Sequence, residues 1–160
     1  MTTVREFDPA RYMGEWHEIA KYKFKYEDDC DRAKAIYTWD ENNQQILVEN
    51  QCFVKGKMIR SRTAKAKITD LSDPGKLTIM FDGNGESGNY PRDPTPGQYW
   101  IHCTDYHDAI VGGPSGKMLW WLSRDKTVKA SKVEPMLEKI RSFGYDTDRL
   151  MSHVSVVTRD

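Results

Sequence analysis

The sequence lacks any strong imbalance of charge. Its 160 residues include 24 lysines and arginines and 24 aspartates and glutamates, so the formal net charge at pH 7 is zero. The chain as a whole therefore has no field of one sign, which nucleic acid or an anionic membrane would need as its main attraction. This balance argues against a nucleic-acid partner and predicts that binding specificity comes from a local site.

Long hydrophobic runs are also missing. No stretch of about 18 consecutive apolar residues occurs, and the opening MTTVREFDPARYMG has neither the apolar segment nor the cleavage pattern of a signal peptide. The sequence as it stands predicts a soluble, cytoplasmic protein. A trimmed mature form of a longer precursor would be periplasmic or secreted instead.

Cysteine and histidine are scarce and form no metal or cofactor motif. The three cysteines, Cys30, Cys52 and Cys103, lack CxxC spacing, and the four histidines lack HxxxH spacing. We therefore expect neither a metal nor a cofactor. A disulfide between Cys30 and Cys52 across a hairpin is left open, and Cys103 is expected to be a free thiol that is at least partly buried.

Short strand patterns separated by turn residues make up most of the chain. Turn signals recur at roughly 8 to 12 residue intervals, and they include the segments DENN, VKGK, SDPGK and GGPSGK. Eight successive strands favour an antiparallel up-and-down barrel, because closure removes exposed sheet edges. The expected strands are 14–22, 33–39, 45–54, 58–68, 76–82, 98–104, 107–113 and 117–124.

One helix is expected after the barrel, at about 132–143. In SKVEPMLEKIRSFG, Ser131 and Glu134 have the spacing of a capping box, and apolar residues recur at helical intervals. Pro135 is expected in the first turn, and Gly144 is expected to end the helix in the left-handed conformation. Residues 150–157 alternate as a short ninth strand would. We expect one domain over 1–160, with its barrel at about 14–124.

Three short motifs stand in a fixed order around this pattern: Gly14-x-Trp16, Thr104-Asp105-Tyr106, and Arg124 in LSR. With the runs AIYTWDENNQQILVENQ, YWIHCTDYHDAIVGGPS and MLWWLSR, they resemble the signature regions of the lipocalin family. The subgroup that they resemble holds the bacterial outer-membrane lipocalin, the plant temperature-induced lipocalins and apolipoprotein D. This resemblance, over roughly residues 8–157, implies an all-β cup that is closed at one end and has a helix packed outside.

The resemblance implies structural roles for the signature residues. Trp16 would plug the closed end, and Arg124 would lie across its ring in a cation–π contact worth about 2 kcal/mol when water is excluded. Gly14 would permit the bend by which the chain enters the barrel. The residues expected to be structural rather than catalytic are Gly14, Trp16, Thr104, Asp105, Tyr106 and Arg124.

Strand alternation and the resemblance together give candidates for the lining of the cup. A mostly apolar hollow with a few polar anchors is the usual build of a small-molecule site. Arg60 and Arg62 would face the cavity near its rim, where a guanidinium pairs well with a carboxylate or phosphate; the alternative is that both simply reach water. The expected ligand-binding residues are Tyr22, Tyr37, Asn50, Arg62, Ala66, Leu77, Ile79, Phe81 and Trp120.

The leading expectation is a binding protein that transports or sequesters one small hydrophobic ligand, such as a fatty acid or lysophospholipid, without catalysis. Two alternatives stay open. One is an enzyme on the same scaffold, with Cys52 or Glu18 as its reactive group. The other is a peripheral protein that scavenges membrane lipid, with the 83–97 loop at the open end. A homodimer is also left open.

Overall fold

A computed structural model describes residues 2–22, 29–81, 97–152 and 157–159, with the backbone alone at Phe81, Met151, Ser152 and Val157. Two α-helices and eleven strands occur in this part of the chain. The helices are α1 (Pro9–Tyr12) and α2 (Ala130–Ser142), and a 3₁₀ turn spans Thr147–Arg149. The strands are β1 (Gly14–Tyr22), β2 (Arg32–Asp40), β3 (Gln45–Val54), β4 (Lys57–Ile68), β5 (Lys76–Phe81), β6 (Gly97–Thr104), β7 (Asp108–Gly112), β8 (Leu119–Ser123), β9 (Val128–Lys129), β10 (Leu150–Ser152) and β11 (Val157–Thr158).

The first eight strands close into an antiparallel barrel, which confirms the expected fold. Each pairs with the next along the chain, and β1 also pairs with β8. β2 pairs with β1 only over Gly14–His17, and β10 pairs with β1 over Ala20–Tyr22. β10 therefore takes the place of β2 beside the second half of β1. Among the described residues, no helix is both long and apolar enough to cross a membrane.

Helix α2 begins earlier than the sequence pattern predicts. Lys129 is its N-cap and makes no side-chain cap hydrogen bond, so the predicted capping box is wrong. Ser131 is the second residue of the helix and Pro135 the sixth, outside the first turn. The cause is long-range, since β9 ends at Lys129 and pairs in parallel with β11 immediately before the helix. Gly144 follows the helix with a φ of 99°, the left-handed stop that was expected.

Two clusters of apolar side chains hold the molecule together. One fills the lower part of the barrel around Tyr12, Trp16 and Leu77. The other lies between the outer wall of the barrel and α2. Its fully buried or nearly buried members include Ile19, Ile110, Trp121, Met136 and Ile140.

The lower end of the barrel is sealed by Trp16 and Arg124. The Trp16 side chain is fully buried, and the guanidinium carbon of Arg124 lies 3.9 Å from its ring centroid. Every nitrogen of the guanidinium also donates a hydrogen bond to a backbone carbonyl. These bonds run from Nε to Tyr106 at 3.0 Å, from Nη1 to Glu15 at 2.9 Å and from Nη2 to Arg11 at 2.8 Å.

The turn between β6 and β7 presents one of these carbonyls. Tyr106 adopts a left-handed φ of 68°. Thr104 Oγ1 accepts from the Tyr106 N–H at 2.9 Å, and Asp105 Oδ1 accepts from the N–H groups of His107 and Asp108. These side-chain bonds hold the tight turn, so the Tyr106 carbonyl points at Arg124.

Gly14 is required at this base for two reasons. Its φ of 101° lies in the left-handed region, where a residue with Cβ is strained. A Cβ built on it would also lie 3.3 Å from Arg124 Nη1. Gly14, in the first signature motif, therefore leaves the space that the guanidinium of Arg124, in the last signature motif, occupies.

An ion pair docks α2 against the barrel. Lys132 Nζ bonds Asp108 Oδ2, and the Asp108 side chain is only 9% exposed. Burial raises the pKa of Asp108, but hydrogen bonds from Lys132, His107 and Ser123 outweigh it, so the pKa is held below its usual value. The charged form of Asp108 is therefore part of the folded state.

Replacing Arg124 with glutamine should lower the free energy of unfolding by about 3 kcal/mol, because it removes the ring contact and charged hydrogen bonds. Arg124→Lys should recover only part of this, since one ammonium cannot serve three carbonyls in fixed directions. Urea unfolding measures both. Arg141→Gln, which breaks an exposed pair with Glu134, is the control and should cost no more than about 1 kcal/mol. Full stability in Arg124→Lys would contradict a role for guanidinium geometry.

The Asp108–Lys132 pair should also make the free energy of unfolding depend on pH in the acidic range. Because the folded pKa lies below the unfolded value of about 3.9, the carboxylate contributes stability above that pH and loses it as pH falls through the folded pKa. Asp108→Asn should therefore lower stability at neutral pH and flatten its decline in acid, as measured by urea unfolding at several pH values. Glu138→Gln, an exposed carboxyl of the same helix, should leave the profile unchanged. An unchanged profile in Asp108→Asn would contradict the assignment.

Candidate ligand cavity

A cavity of about 60 Å³ lies inside the barrel above the sealed base. One water molecule needs about 10 to 15 Å³, and pockets for drug-sized ligands usually have about 300 to 1,000 Å³. This arrangement of the described side chains therefore holds only a few small atoms, and a longer ligand must displace part of the lining. The apolar lining residues are Ala35, Val48, Ile79, Val111, Met118, Trp120 and Leu122, and the polar ones are Glu18, Tyr37, Asn50, Arg62, Gln98 and Tyr99.

Three tyrosine hydroxyls are hydrogen-bonded to one another at the floor of this cavity. Tyr37 and Tyr99 line it, whereas Tyr12 is fully buried and packs against Tyr37 and Trp16. The Tyr99 hydroxyl lies 2.6 Å from that of Tyr12 and 2.7 Å from that of Tyr37. The Tyr12 and Tyr37 rings stack with centroids 5.3 Å apart. Burial raises the pKa values of Tyr12 and Tyr99 well above 10, and electrostatic repulsion from Tyr37 raises both further. The floor therefore offers neutral hydroxyl groups, which can donate or accept hydrogen bonds.

Arg62 brings a positive charge to the wall of the cavity. It lies on β4, on the rim side of Ala64 and Ala66, and is paired across the sheet with Asn50 of β3. Directly opposed residues in antiparallel strands share a face, so both side chains are directed inward and line the cavity. A guanidinium and an amide thus stand among apolar walls.

Arg60, the next inward position, has a different role. Its Nη1 donates to Asp29 Oδ2 at 3.1 Å, and its Nη2 bonds the other carboxylate oxygen. The hydrogen bond from Arg60 lowers the pKa of Asp29. Nη2 also lies 3.6 Å from Cys52 Sγ and 3.8 Å from Cys30 Sγ. With 11% of its side chain exposed, Arg60 neither lines the cavity nor simply reaches water.

A β-bulge in β1 overturns one predicted ligand contact. The pairing of β1 with β8 shifts between Glu18 and Ala20, so Ala20 lies opposite Trp121 and Lys21 opposite Trp120. Strict alternation fails across such an extra residue. Tyr22 consequently lies on the outer face, where its hydroxyl donates to the Asp146 carbonyl at 2.9 Å and accepts from the Asp146 N–H at 2.7 Å. The expectation that Tyr22 lines the cavity is wrong.

The other expected ligand-binding residues fall into three groups. Tyr37, Asn50, Arg62, Ile79 and Trp120 line the cavity. Ala66 and Leu77 are also buried within the barrel, but they pack in the core without lining the cavity. The Phe81 side chain, like most of the 83–97 loop, lies outside the described residues.

Sequence reasoning missed the floor of the cavity. Tyr99 is two residues from the inward-facing Ile101 on β6, so alternation along that strand could have identified it. Tyr12 had no such signal, because it lies in the short helix α1 before the barrel begins.

Of the two reactive groups proposed from sequence, Glu18 lines the cavity, whereas Cys52 is unavailable. Cys30 and Cys52 form a disulfide, so Cys52 offers no thiol. Cys103 is free, and burial raises the pKa of its thiol. His102 does not activate it, because its Nδ1 lies 2.6 Å from the Thr2 carbonyl and its Nε2 lies 2.6 Å from the Tyr145 hydroxyl.

Solved structures with the same fold include two groups of arthropod proteins. Insecticyanin from the tobacco hornworm Manduca sexta superposes with a TM-score of 0.74 at 20% identity, covering 99% of this chain and 90% of its own. Lobster apocrustacyanin A1 gives a TM-score of 0.64 at 17% identity, covering 91% and 78%. At these identities the likeness shows the fold alone.

Sequence relatives carry the comparison further. Temperature-induced lipocalin-1 of Arabidopsis thaliana is 31% identical over 154 residues, which are 94% of this chain and 80% of that protein. Outer membrane lipoprotein Blc of Citrobacter freundii is 27% identical, covering 94% and 81%. Apolipoprotein D of Mus musculus is 26% identical, covering 90% and 75%. These are the relatives that the sequence motifs resembled.

The family model described as a lipocalin-like domain matches residues 7–155, nearly the whole chain. The chain therefore belongs to the lipocalin family, whose members bind small hydrophobic ligands and are generally carriers rather than enzymes.

Proposed function

We propose that this protein binds a single-chain lipid anion, such as a fatty acid or a lysophospholipid, in the barrel cavity and transports or sequesters it. The observation that carries the proposal is the position of Arg62 among the apolar walls of that cavity. A guanidinium pairs strongly with carboxylate or phosphate oxygens when water is partly excluded. The charged end of the lipid would bind Arg62, with Asn50 beside it.

The apolar walls would supply most of the affinity. Each methylene removed from water contributes about 0.8 kcal/mol, and Val48, Ile79, Leu122 and Trp120 provide surface for such contacts. Immobilising a flexible chain offsets part of this gain. The neutral hydroxyls of Tyr37 and Tyr99 add hydrogen-bonding groups that carry no repelling charge, and the carboxyl group of the described lining belongs to Glu18.

The small volume of the cavity implies that binding rearranges its lining. Trp120 and Arg62 are half-buried and lie on the rim side of the tyrosine floor. We therefore expect these two side chains to change rotamer when a ligand enters. Trp16 and Trp121, in contrast, are 0% and 1% exposed and pack away from the cavity. Trp120 is the tryptophan among the described lining residues, so its fluorescence should chiefly report ligand entry.

Oleic acid should quench this fluorescence in a saturable way, and Arg62→Gln should weaken its binding by about tenfold, equivalent to about 1.4 kcal/mol. The affinity for oleyl alcohol, which has the same chain without the charge, should be unchanged in Arg62→Gln. Lys65→Gln removes an exposed lysine from the outer face of the same strand and is the matched control.

Two outcomes would count against this proposal, and they are distinguishable. Equal oleic acid affinity in wild type and Arg62→Gln would reject the lipid anion but retain a hydrophobic ligand. No quenching by either lipid, together with no retained lipid in native mass spectrometry, would reject lipid binding itself.

We further propose that the protein works in an oxidising compartment, periplasmic or extracellular. The Cys30–Cys52 disulfide supports this, because such bonds persist in oxidising environments and are rare in the cytosol.

A thiol count tests the disulfide directly. The unfolded protein should react with maleimide at one thiol, Cys103, before reduction and at all three cysteines after reduction. Three reactive thiols without reduction, in protein isolated from the periplasm or the medium, would contradict the assignment.

A further inference from the structure

A second cleft, of about 460 Å³, lies on the outer wall of the barrel. It is formed by the beginning of β2, the turn between β3 and β4, and the segment after β8. Among its described lining residues are four cations, Arg32, Lys34, Lys55 and Lys126, and one carboxylate, Asp31. The chain as a whole is neutral, so this local excess of positive charge is a distinct feature of the surface.

The contacts within the cleft leave the positive charge excess in place. The Asp31 carboxylate accepts from the backbone N–H of Lys55 at 2.7 Å, and Arg32 donates to the Lys126 carbonyl at 3.3 Å. Lys34 pairs with Glu15 at 2.7 Å. Even with Glu15 counted, four cations stand against two carboxylates, and the side chains of Lys55 and Lys126 are exposed at the mouth.

The positive charge of the cleft affects the pKa of His17, which lies at its base. Its side chain is 13% exposed. Burial lowers the pKa of His17, Glu15 raises it, and Lys34, Lys126 and Arg32 all lower it further. Cations on β2 and after β8 therefore act together at one point inside the cleft.

The cleft also has an apolar wall. Phe53 is half-buried there, and Lys34 Nζ lies 5.3 Å from its ring centroid. An anion that carries an organic group would gain contact with this ring in addition to its ionic contacts.

We propose that this cleft is a second ligand site, separate from the barrel cavity, that binds a phosphate group and favours a phosphate ester over the free ion. Lysine and arginine are the usual protein partners of phosphate oxygens, and several of them converge here within one concave site. The ester's organic group would lie against Phe53. A free organic phosphate and a lipid headgroup share this chemistry.

An NMR titration of the His17 ring tests the site. Phenyl phosphate and inorganic phosphate are added at constant ionic strength, with chloride as the reference anion. A phosphate bound near Lys34 and Lys126 opposes their effect, so it should raise the pKa of His17 in a saturable way, with phenyl phosphate binding more tightly than inorganic phosphate.

Variants separate a specific site from general charge. Lys55→Gln combined with Lys126→Gln should weaken phenyl phosphate binding by about tenfold, equivalent to about 1.4 kcal/mol. Lys65→Gln combined with Lys67→Gln changes the net charge equally at exposed positions on β4 and should leave binding unchanged. Oleic acid binding should be the same in both double variants, so this test is independent of the barrel cavity.

Vesicles identify the source of the phosphate. Sedimentation with phosphatidylcholine vesicles, with and without phosphatidic acid, is compared between the two double variants. If the Lys55/Lys126 variant, but not the Lys65/Lys67 variant, loses phenyl phosphate binding, the ligand is a soluble ester. If the Lys55/Lys126 variant, but not the Lys65/Lys67 variant, loses binding to phosphatidic acid vesicles, the ligand is a lipid headgroup. Equal behaviour of the two variants in both assays, or a His17 response to chloride that matches phosphate, would overturn the proposal.

Discussion

The contact of Arg124 with Trp16 is the constraint on which the rest of the barrel depends. One guanidinium covers a buried indole and binds carbonyls from the α1 segment, from β1 and from the turn between β6 and β7. The carbonyls of Arg11 and Glu15 are far in sequence from Arg124 and from the turn between β6 and β7, and the closed barrel brings them together. The base is thereby sealed, with Tyr12 packed directly against Trp16. In the described part of the chain, the sealed base leaves no passage into the cavity at this end of the barrel. A ligand of the cavity would therefore enter from the opposite end.

Bulges then decide which residues meet the ligand and which meet the helix. The bulge in β1 directs both Ile19 and Ala20 to the outer cluster, and the shift in β6 between Ile101 and Cys103 places His102 against Tyr145 of the segment after α2. Strict alternation would direct only one of Ile19 and Ala20 outward. The bulge in β1 therefore adds an apolar residue to the surface on which α2 packs.

Much of the fold could be predicted from sequence because its signals are local. Turn residues and alternation located eight strands, and the signature motifs located the Trp16–Arg124 contact. The errors arose where a distant partner decides a local outcome. Helix α2 begins where β9 meets β11, Tyr22 turns outward at a bulge, and Arg60 is held by Asp29 from the loop before β2. The partners in these cases are β9 and β11, β1 and β8, and Arg60 and Asp29. No short window of sequence contains both partners of any one case. The candidate site was accordingly predicted best on straight strands, at Tyr37, Asn50 and Ile79.

The two ligand sites share one layer of sheet, and this governs how they relate. On β2, Ala35 faces the cavity while Lys34, its neighbour, faces the outer cleft. The two sites are thus back to back, separated by a single backbone that is hydrogen-bonded to β3 along its whole length. Such a strand transmits little movement, because a shift of one residue would break the ladder on both sides. The barrel is therefore compatible with independent occupation of the cavity and of the outer cleft, the two sites proposed above.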